Sequence, residues 1–435
     1  MILESGKGVW VTDSNGKQYI EGLAGLWCTS LGYGEERLVE AAAKQMRALP
    51  FTHIFAHKSH HPAIDLAEKL IGMTASITPE APFEKVFCAN SGSEGNDTVV
   101  KLLWYYHNAI GKPEKKKIIA RDKGYHGVTV AAASLTGLPV LHKDFDLPIQ
   151  GIMHTACPHH YRFAKDGEDE LAFSKRLAEE LEAMIIEEGP DTIAGFIAEP
   201  LMGAGGVILP PEGYFEAIQP ILKKYDILLI ADEVICGFGR TGNMFGSLTY
   251  NIKPDMMTVA KQLSSAYLPI SAVLVNGKIA EAITDNAGRI GAFGMGYTYS
   301  AHPVAAAVAL ETLAIYEERD ILSHIRAISP RLQTGLSKLA EHPLVGEARG
   351  IGLIGAIECV ADKDTKRSFD AKAMVGATLF ANIQKNGVIT RPLGTDAIAV
   401  CPPLIIKEDE IDFMLHAMQK GLDETWDWVK ANNIN

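Results

Sequence analysis

Ile227-Leu228-Leu229-Ile230-Ala231-Asp232-Glu233-Val234 and Met256-Met257-Thr258-Val259-Ala260-Lys261 decide how this chain is read. Each is a short apolar run that ends on an ionisable group. Runs apolar on both faces suit central strands covered by helices on each side. A carboxylate or an ammonium beside such strands is expensive to bury without a partner. In an open α/β sheet, ligands sit beyond the carboxyl ends of the strands. Asp232 and Lys261 therefore point into one crevice, and three readings stay open: a structural ion pair, a metal or phosphate site, or a cofactor held covalently by Lys261 and paired with Asp232.

Working outward, more runs of the same kind stand at 85–88, 117–120, 194–198 and 272–275, with helical periodicity at 95–109 and 213–224. Strands alternating with helices predict a mostly parallel α/β sheet. Upstream, residues 8–20 read as a hairpin turning at Asp13-Ser14-Asn15-Gly16, and 36–48 as a helix. After His302-Pro303 the chain turns helical to about 318, then again at 330–341, 371–386 and 408–430, with short strands at 352–357 and 397–400. The expected organisation is a large domain at 41–302 and a smaller α+β domain made from 1–40 and 303–435.

The length of 435 residues suits two domains, and 47% hydrophobic with 22% charged residues suits a packed globular chain rather than a disordered one. A formal net charge of -12 disfavours a nucleic-acid partner, because phosphate binding needs clustered Lys and Arg. Cys28, Cys88, Cys157, Cys236, Cys359 and Cys401 form no Cys-x-x-Cys pair and read as reduced thiols. There is no apolar run of membrane-spanning length, and Met1–Gly8 lacks the pattern of a signal peptide, so no membrane partner and a cytoplasmic location are expected.

A phosphate site is also legible. Ala89-Asn90-Ser91-Gly92-Ser93-Glu94 follows the run 85–88 and opens a helix; Ser91-x-x-Glu94 has the form of a capping box, and a helix N-terminus binds anions. Gly124-Tyr125-His126-Gly127 follows the run 117–120 and offers a ring to cover a flat ligand. Pyridoxal phosphate demands this division of labour: a lysine for the Schiff base, an acid for the pyridine nitrogen, and a phosphate cradle.

These stretches, with Gly22-Leu23-Ala24-Gly25-Leu26-Trp27, Ala198-Glu199-Pro200, Gly237-Phe238-Gly239-Arg240-Thr241-Gly242 and Tyr297-Thr298-Tyr299-Ser300-Ala301-His302-Pro303, resemble class III aminotransferases of the fold-type I pyridoxal-phosphate enzymes, nearest to the ω-amine:pyruvate type. The resemblance implies a transaminase that moves an amino group from a primary amine or ω-amino acid to a keto acid such as pyruvate, leaving the cofactor aminated between the two halves. It implies a homodimer with shared sites. Lys261 and Asp232 would be catalytic; Ser91, Gly92, Ser93, Tyr125, His126, Glu199, Val234 and, from the other subunit, Thr298 would hold the cofactor. Trp27, Phe55 and Tyr125 would line the substrate pocket, and Arg391 would bind the acceptor's carboxylate. No metal is implied. A decarboxylase, aminomutase or racemase on the same cofactor is the alternative. Two departures stand out: Gln262 follows the lysine where relatives commonly have Gly, and Ala56 stands where some carry an aromatic.

Other patterns are weaker. Gly237–Gly242 matches G-x-G-x-x-G, but it does not sit in a strand-to-helix turn, so a dinucleotide site is disfavoured. His53, His57, His60 and His61 lack acidic or Cys partners, which disfavours zinc. A regulator that reuses the fold would carry a basic DNA-binding module, and none is present.

Overall fold

The computed structural model describes residues 1–394 and 396–434. Its centre is a seven-stranded sheet. In chain order the strands are β1 (Phe83–Ala89), β2 (Lys117–Arg121), β3 (Ile152–Thr155), β4 (Ile193–Ala198), β5 (Leu228–Asp232), β6 (Met256–Val259) and β7 (Ser271–Asn276), arranged β1-β7-β6-β5-β4-β2-β3. From β6 to β3 every pairing is parallel. β7 runs antiparallel to both neighbours. The expected mostly parallel sheet is what forms, with one reversed strand inside it.

Alternation along the strands explains the layers. Ile118, Ala120, Leu228 and Ile230 pack on one face with Val99, Leu103 and Ile279 of the helices Gly92–Ala109 and Gly277–Ile290. Ile119, Phe196 and Leu229 face the other way, onto Phe173, Leu181 and Phe215 of the helices Glu170–Glu188 and Tyr214–Lys224. A strand buried on both faces must be apolar at every position. That is why β4 through β7 are buried throughout.

Both ends of the chain meet beside this sheet. The strands Leu3–Lys7, Trp10–Asp13 and Gln18–Glu21 form an antiparallel meander, and Val388–Ile389 adds to it in parallel. A second small sheet holds Val345–Ile351, Ile354–Cys359, Ala397–Val400 and Arg391–Leu393.

Some elements differ from the sequence reading. The strand expected at 352–357 is a hairpin that turns at Gly352, where φ is +57° and a Cβ would lie 2.4 Å from the Arg240 carbonyl oxygen. The helix expected from 330 begins at Ile321 and runs through Pro330 to Leu339. Proline suggests a helix start, but the buried stripe Ile321, Ile325, Ile328, Leu332, Leu336 and Leu339 carries the helix across it. The helix expected at 371–386 breaks at Met374 (φ +56°) and is regular only over Val375–Lys385.

Candidate active site

Four strand ends deliver most of the site, and a fifth, that of β4, adds Glu199. The first is β1, which runs through Ser91 into the helix Gly92–Ala109. The Ser91 hydroxyl accepts from the Glu94 amide at 3.2 Å. The return arm of the expected box shifts by one residue: Glu94 Oε2 accepts from N and Nδ2 of Asn90, at 2.8 and 2.9 Å. Among the described residues, the amides of Gly92 and Ser93 donate to no protein acceptor. They are the orphan donors of a helix start, an anion site by construction. Gly92 fits tightly there: a Cβ would lie 3.0 Å from Val234 Cγ2 and press on that side chain.

The second is β2, which leads to Tyr125 and His126. The Tyr125 amide donates to Glu199 Oε1 at 2.9 Å, and the Gly203 amide to Glu199 Oε2 at 2.8 Å. Burial pushes the Glu199 carboxyl above its ordinary range, with His126 pulling it down and Asp232 pushing it up. At Gly127 φ is +135°, and a Cβ would lie 2.5 Å from Ser93 Oγ. That hydroxyl accepts from the Val128 amide at 3.1 Å.

The third is β5, ending on Asp232, which is 3% exposed. Its Oδ2 accepts from Asn96 Nδ2 and from His126 Nδ1, both at 2.8 Å. Its Oδ1 accepts from the Val234 amide at 3.1 Å and keeps capacity for a further donor. Asn96 Nδ2 also donates to the His126 carbonyl at 2.7 Å. One amide thus ties the anion-binding helix, the acid and the Tyr125 loop together.

The fourth is β6. Past it, Lys261 opens a tight turn, Lys261–Ser264, with φ at +50°. Among the described residues Lys261 Nζ makes no hydrogen bond or ion pair. Burial pushes its pKa below that of an ordinary lysine, and Asp232 pulls it partly back. A buried, unpartnered amine with a lowered pKa is a nucleophile in waiting.

These groups line one cavity of about 330 Å³: Ser91, Gly92, Ser93, Tyr125, His126, Glu199, Asp232, Val234 and Lys261, with Cys28, Asn90, Ile235 and part of 264–270. They fit pyridoxal phosphate: a free amine, a buried carboxylate with an open lone pair, unspent helix-start amides, and a tyrosine at the rim. The other expected residues stand apart from this cavity. Trp27 is 3% exposed and packs against Leu23, Leu201 and Ile235. Phe55 is exposed beside Gly296, and Thr298 is exposed in the stretch that follows. Arg391 is exposed, without an ion pair among the described residues, and lies in electrostatic reach of Tyr125.

Sequence reasoning passed over Asn96, Cys28 and the 264–270 stretch. Asn96 had a signal: three residues after Ser93, it lies on the same helix face. The 264–270 stretch had none, because its place depends on how β7 turns back into the sheet.

The sequence profile described as Aminotransferase class-III matches residues 1–422. The chain belongs to the class III aminotransferases. It is 52% identical over 425 residues to the γ-aminobutyrate transaminase 1, mitochondrial, of Solanum lycopersicum, covering 98% of this chain and 82% of that one. It is 50% identical to the vanillin aminotransferase of Capsicum annuum, covering 98% and 92%. Among solved structures, the ω-transaminase from Pseudomonas jessenii in complex with PMP superposes with a TM-score of 0.96 at 54% identity, covering 99% and 94%. As a class III aminotransferase the chain uses pyridoxal phosphate and moves an amino group to a keto acid. Its fold is the fold-type I arrangement expected from the motifs.

Proposed function

We propose that Lys261 and Asp232 are the catalytic pair of this transaminase, and that its donors are primary amines and ω-amino acids with pyruvate as an acceptor. The observation that carries the reading is the unpartnered Lys261 Nζ in the same cavity as buried Asp232. When bound, pyridoxal phosphate supplies the carbon that carries the amino group and the ring that takes up electrons. Lys261 would hold it covalently through Nζ. Asp232 keeps the ring nitrogen protonated; an ion pair of this kind contributes about 4 kcal/mol at the effective dielectric of a protein site. The amides of Gly92 and Ser93 and the Ser93 hydroxyl hold the phosphate, assisted by Ser91. Tyr125 and Val234 would hold the ring between them, while Glu199 and His126 set Tyr125 and Asp232. With the cofactor bound, Lys261 Nζ would be the base that takes the proton from the amine-bearing carbon and the acid that returns it to the cofactor's carbon.

The donor class is supported by a relative named for γ-aminobutyrate, whose carboxylate lies far from the amine, and by one named for vanillin, an aldehyde without a carboxylate whose amine counterpart would be a plain primary amine. Arg391, a fork near Tyr125 with no ion pair among the described residues, suits the carboxylate of the acceptor. Phe55 shapes the way in, and Trp27 backs the substrate pocket from behind cavity-lining Cys28 and Ile235. A homodimer brings Thr298 to the partner's phosphate site; exposed Phe51, Phe55, Tyr299, Val128 and Val130 on one chain favour such pairing. We also infer two units, 41–302 and 1–40 with 303–435; the helix Glu36–Ala48 crosses the first boundary, and limited proteolysis would locate it. Among the described residues no helix is long and apolar enough to cross a membrane, and the cysteines are unpaired. We place the chain in the cytoplasm; relatives named mitochondrial and chloroplastic make cell fractionation the test.

The decisive experiment incubates the purified protein with a primary amine lacking a carboxylate, pyruvate and pyridoxal phosphate, and measures alanine. Alanine from the native chain and none from Lys261→Ala is the expected result. Steady transfer by Lys261→Ala contradicts the assignment.

A further inference from the structure

Gln262 follows the lysine and is 0% exposed. Both its donors and its side-chain oxygen are engaged. Nε2 donates to the carbonyls of Ile235 and Gly237, both at 2.8 Å. Oε1 accepts from Arg240 Nη2 at 3.2 Å. Ile235 lines the cavity three residues past Asp232, so this side chain spans from the lysine turn to the segment that leaves the acid. Arg240, also 0% exposed, sends Nη1 to the carbonyls of Leu353 and Pro402, at 2.9 and 2.7 Å. It has no carboxylate partner among the described residues; neutral acceptors alone fix its fork.

The backbone here needs such a brace. Lys261, Ser265 and Ala266 all have left-handed φ, at +50°, +49° and +63°. Non-glycine residues hold that region only where their surroundings over-determine it. Among the described residues Lys261 Nζ has no partner to anchor it, so its position is set by the turn. The strain and the brace meet at adjacent residues.

We propose that Gln262 is a positioning residue for Lys261: its two carbonyl contacts fix the lysine turn against the segment after Asp232, and so set the distance between the amine and the acid. The proposal rests on the reading that Lys261 holds pyridoxal phosphate. Arg240 orients the Gln262 amide, so that both N–H groups face the carbonyls. A glycine at this position would leave the turn free and both carbonyls without a donor.

Two variants test this in the holoenzyme. Gln262→Gly removes every contact. Gln262→Glu keeps the size and the Arg240 contact but loses both donors. The first readout is the pH midpoint of the visible absorption of the bound cofactor, which follows the proton shared between the Lys261 link and its surroundings. The second is the split between kcat and KM. Both variants should move the midpoint by about one pH unit and lower kcat by about tenfold or more while KM changes little, since a misplacement of about 1 Å costs on the order of a hundredfold. A variant that melts earlier yet keeps the native midpoint and kcat makes Gln262 a packing residue and overturns the proposal; if Gln262→Gly does not fold, Gln262→Glu alone decides. Borohydride trapping of native enzyme separates the two failures. No label on Lys261 sinks the reading of the lysine, whereas a labelled Lys261 with unmoved variants sinks only the role of Gln262.

Discussion

Tyr125 hangs by its backbone amide from Glu199 Oε1, 2.9 Å away, and the other oxygen of that carboxyl holds Gly203. The aromatic cover of the cavity is thus set by a buried acid from a different strand end. Glu199→Ala should weaken pyridoxal-phosphate binding and cost about 2 kcal/mol of stability, because two buried amides lose their acceptor. Glu199→Gln, which keeps one acceptor, should cost less. Equilibrium dialysis with urea unfolding checks this; equal losses in the two variants would contradict it.

Asn96 should matter as much as better-known positions. It donates to both Asp232 and the His126 carbonyl. Asn96→Ala should reduce cofactor affinity about tenfold, matching the loss of one or two buried hydrogen bonds at about 1 kcal/mol each. An unchanged dissociation constant would remove Asn96 from the site.

Arg391 has a test of specificity. Arg391→Ala should raise KM for pyruvate by roughly thirtyfold or more, the worth of a charge-assisted pair at about 2 kcal/mol. Turnover with an aldehyde acceptor should hardly change. Parallel losses for both acceptors would deny Arg391 its carboxylate.

Glu233 sets a pH dependence of stability. It is wholly buried, accepts from the Gly246 and Ser247 amides and the Ser247 hydroxyl, and burial pushes its carboxyl up to about 7. Its folded pKa lies above the unfolded value of 4.5. Between those values the folded chain binds more protons than the unfolded one. Its contribution is therefore fully present below pH 4.5 and is lost as pH rises through about 7. Glu233→Gln should flatten that part of the profile. Urea midpoints at pH 5 and pH 8 in both proteins measure it; the same slope in the variant would contradict the assignment.

Phe51 and Tyr299 stack edge to face at 5.6 Å, and both are exposed on one chain. If they sit in a homodimer interface, Tyr299→Asp should shift the protein toward monomer and lose activity together with it. Sedimentation velocity would settle this, and a native dimer unchanged by Tyr299→Asp would move the interface elsewhere.

Much of this was legible in the sequence, for physical reasons. The strands that carry Asp232 and Lys261 are buried on both faces, so they must be apolar, and a charge at their ends stands out. Helix starts announce themselves at Ser91, whose hydroxyl caps the helix as read, and at His302-Pro303, where the structure adds a cap from the His302 side chain. Less legible was β3, a short edge strand of mixed composition, Ile152-Met153-His154-Thr155. The hairpin at Gly352 was read as one strand because its turn needs only one glycine. The fate of Gln262 was hidden for a different reason: its partners, Ile235, Gly237 and Arg240, are set by packing and not by spacing. Trp27 was expected at the cavity, yet its backbone, with φ at +65°, turns the ring into a neighbouring apolar cluster and leaves Cys28 at the wall.

The central claim is the covalent role of Lys261. The most direct measurement is borohydride reduction of the holoenzyme followed by peptide mass spectrometry. The account predicts the added pyridoxyl phosphate on the peptide that contains Lys261, and nowhere else. A label on another lysine, such as Lys123 near the same strand ends, or no label on a protein that binds the cofactor, would contradict it.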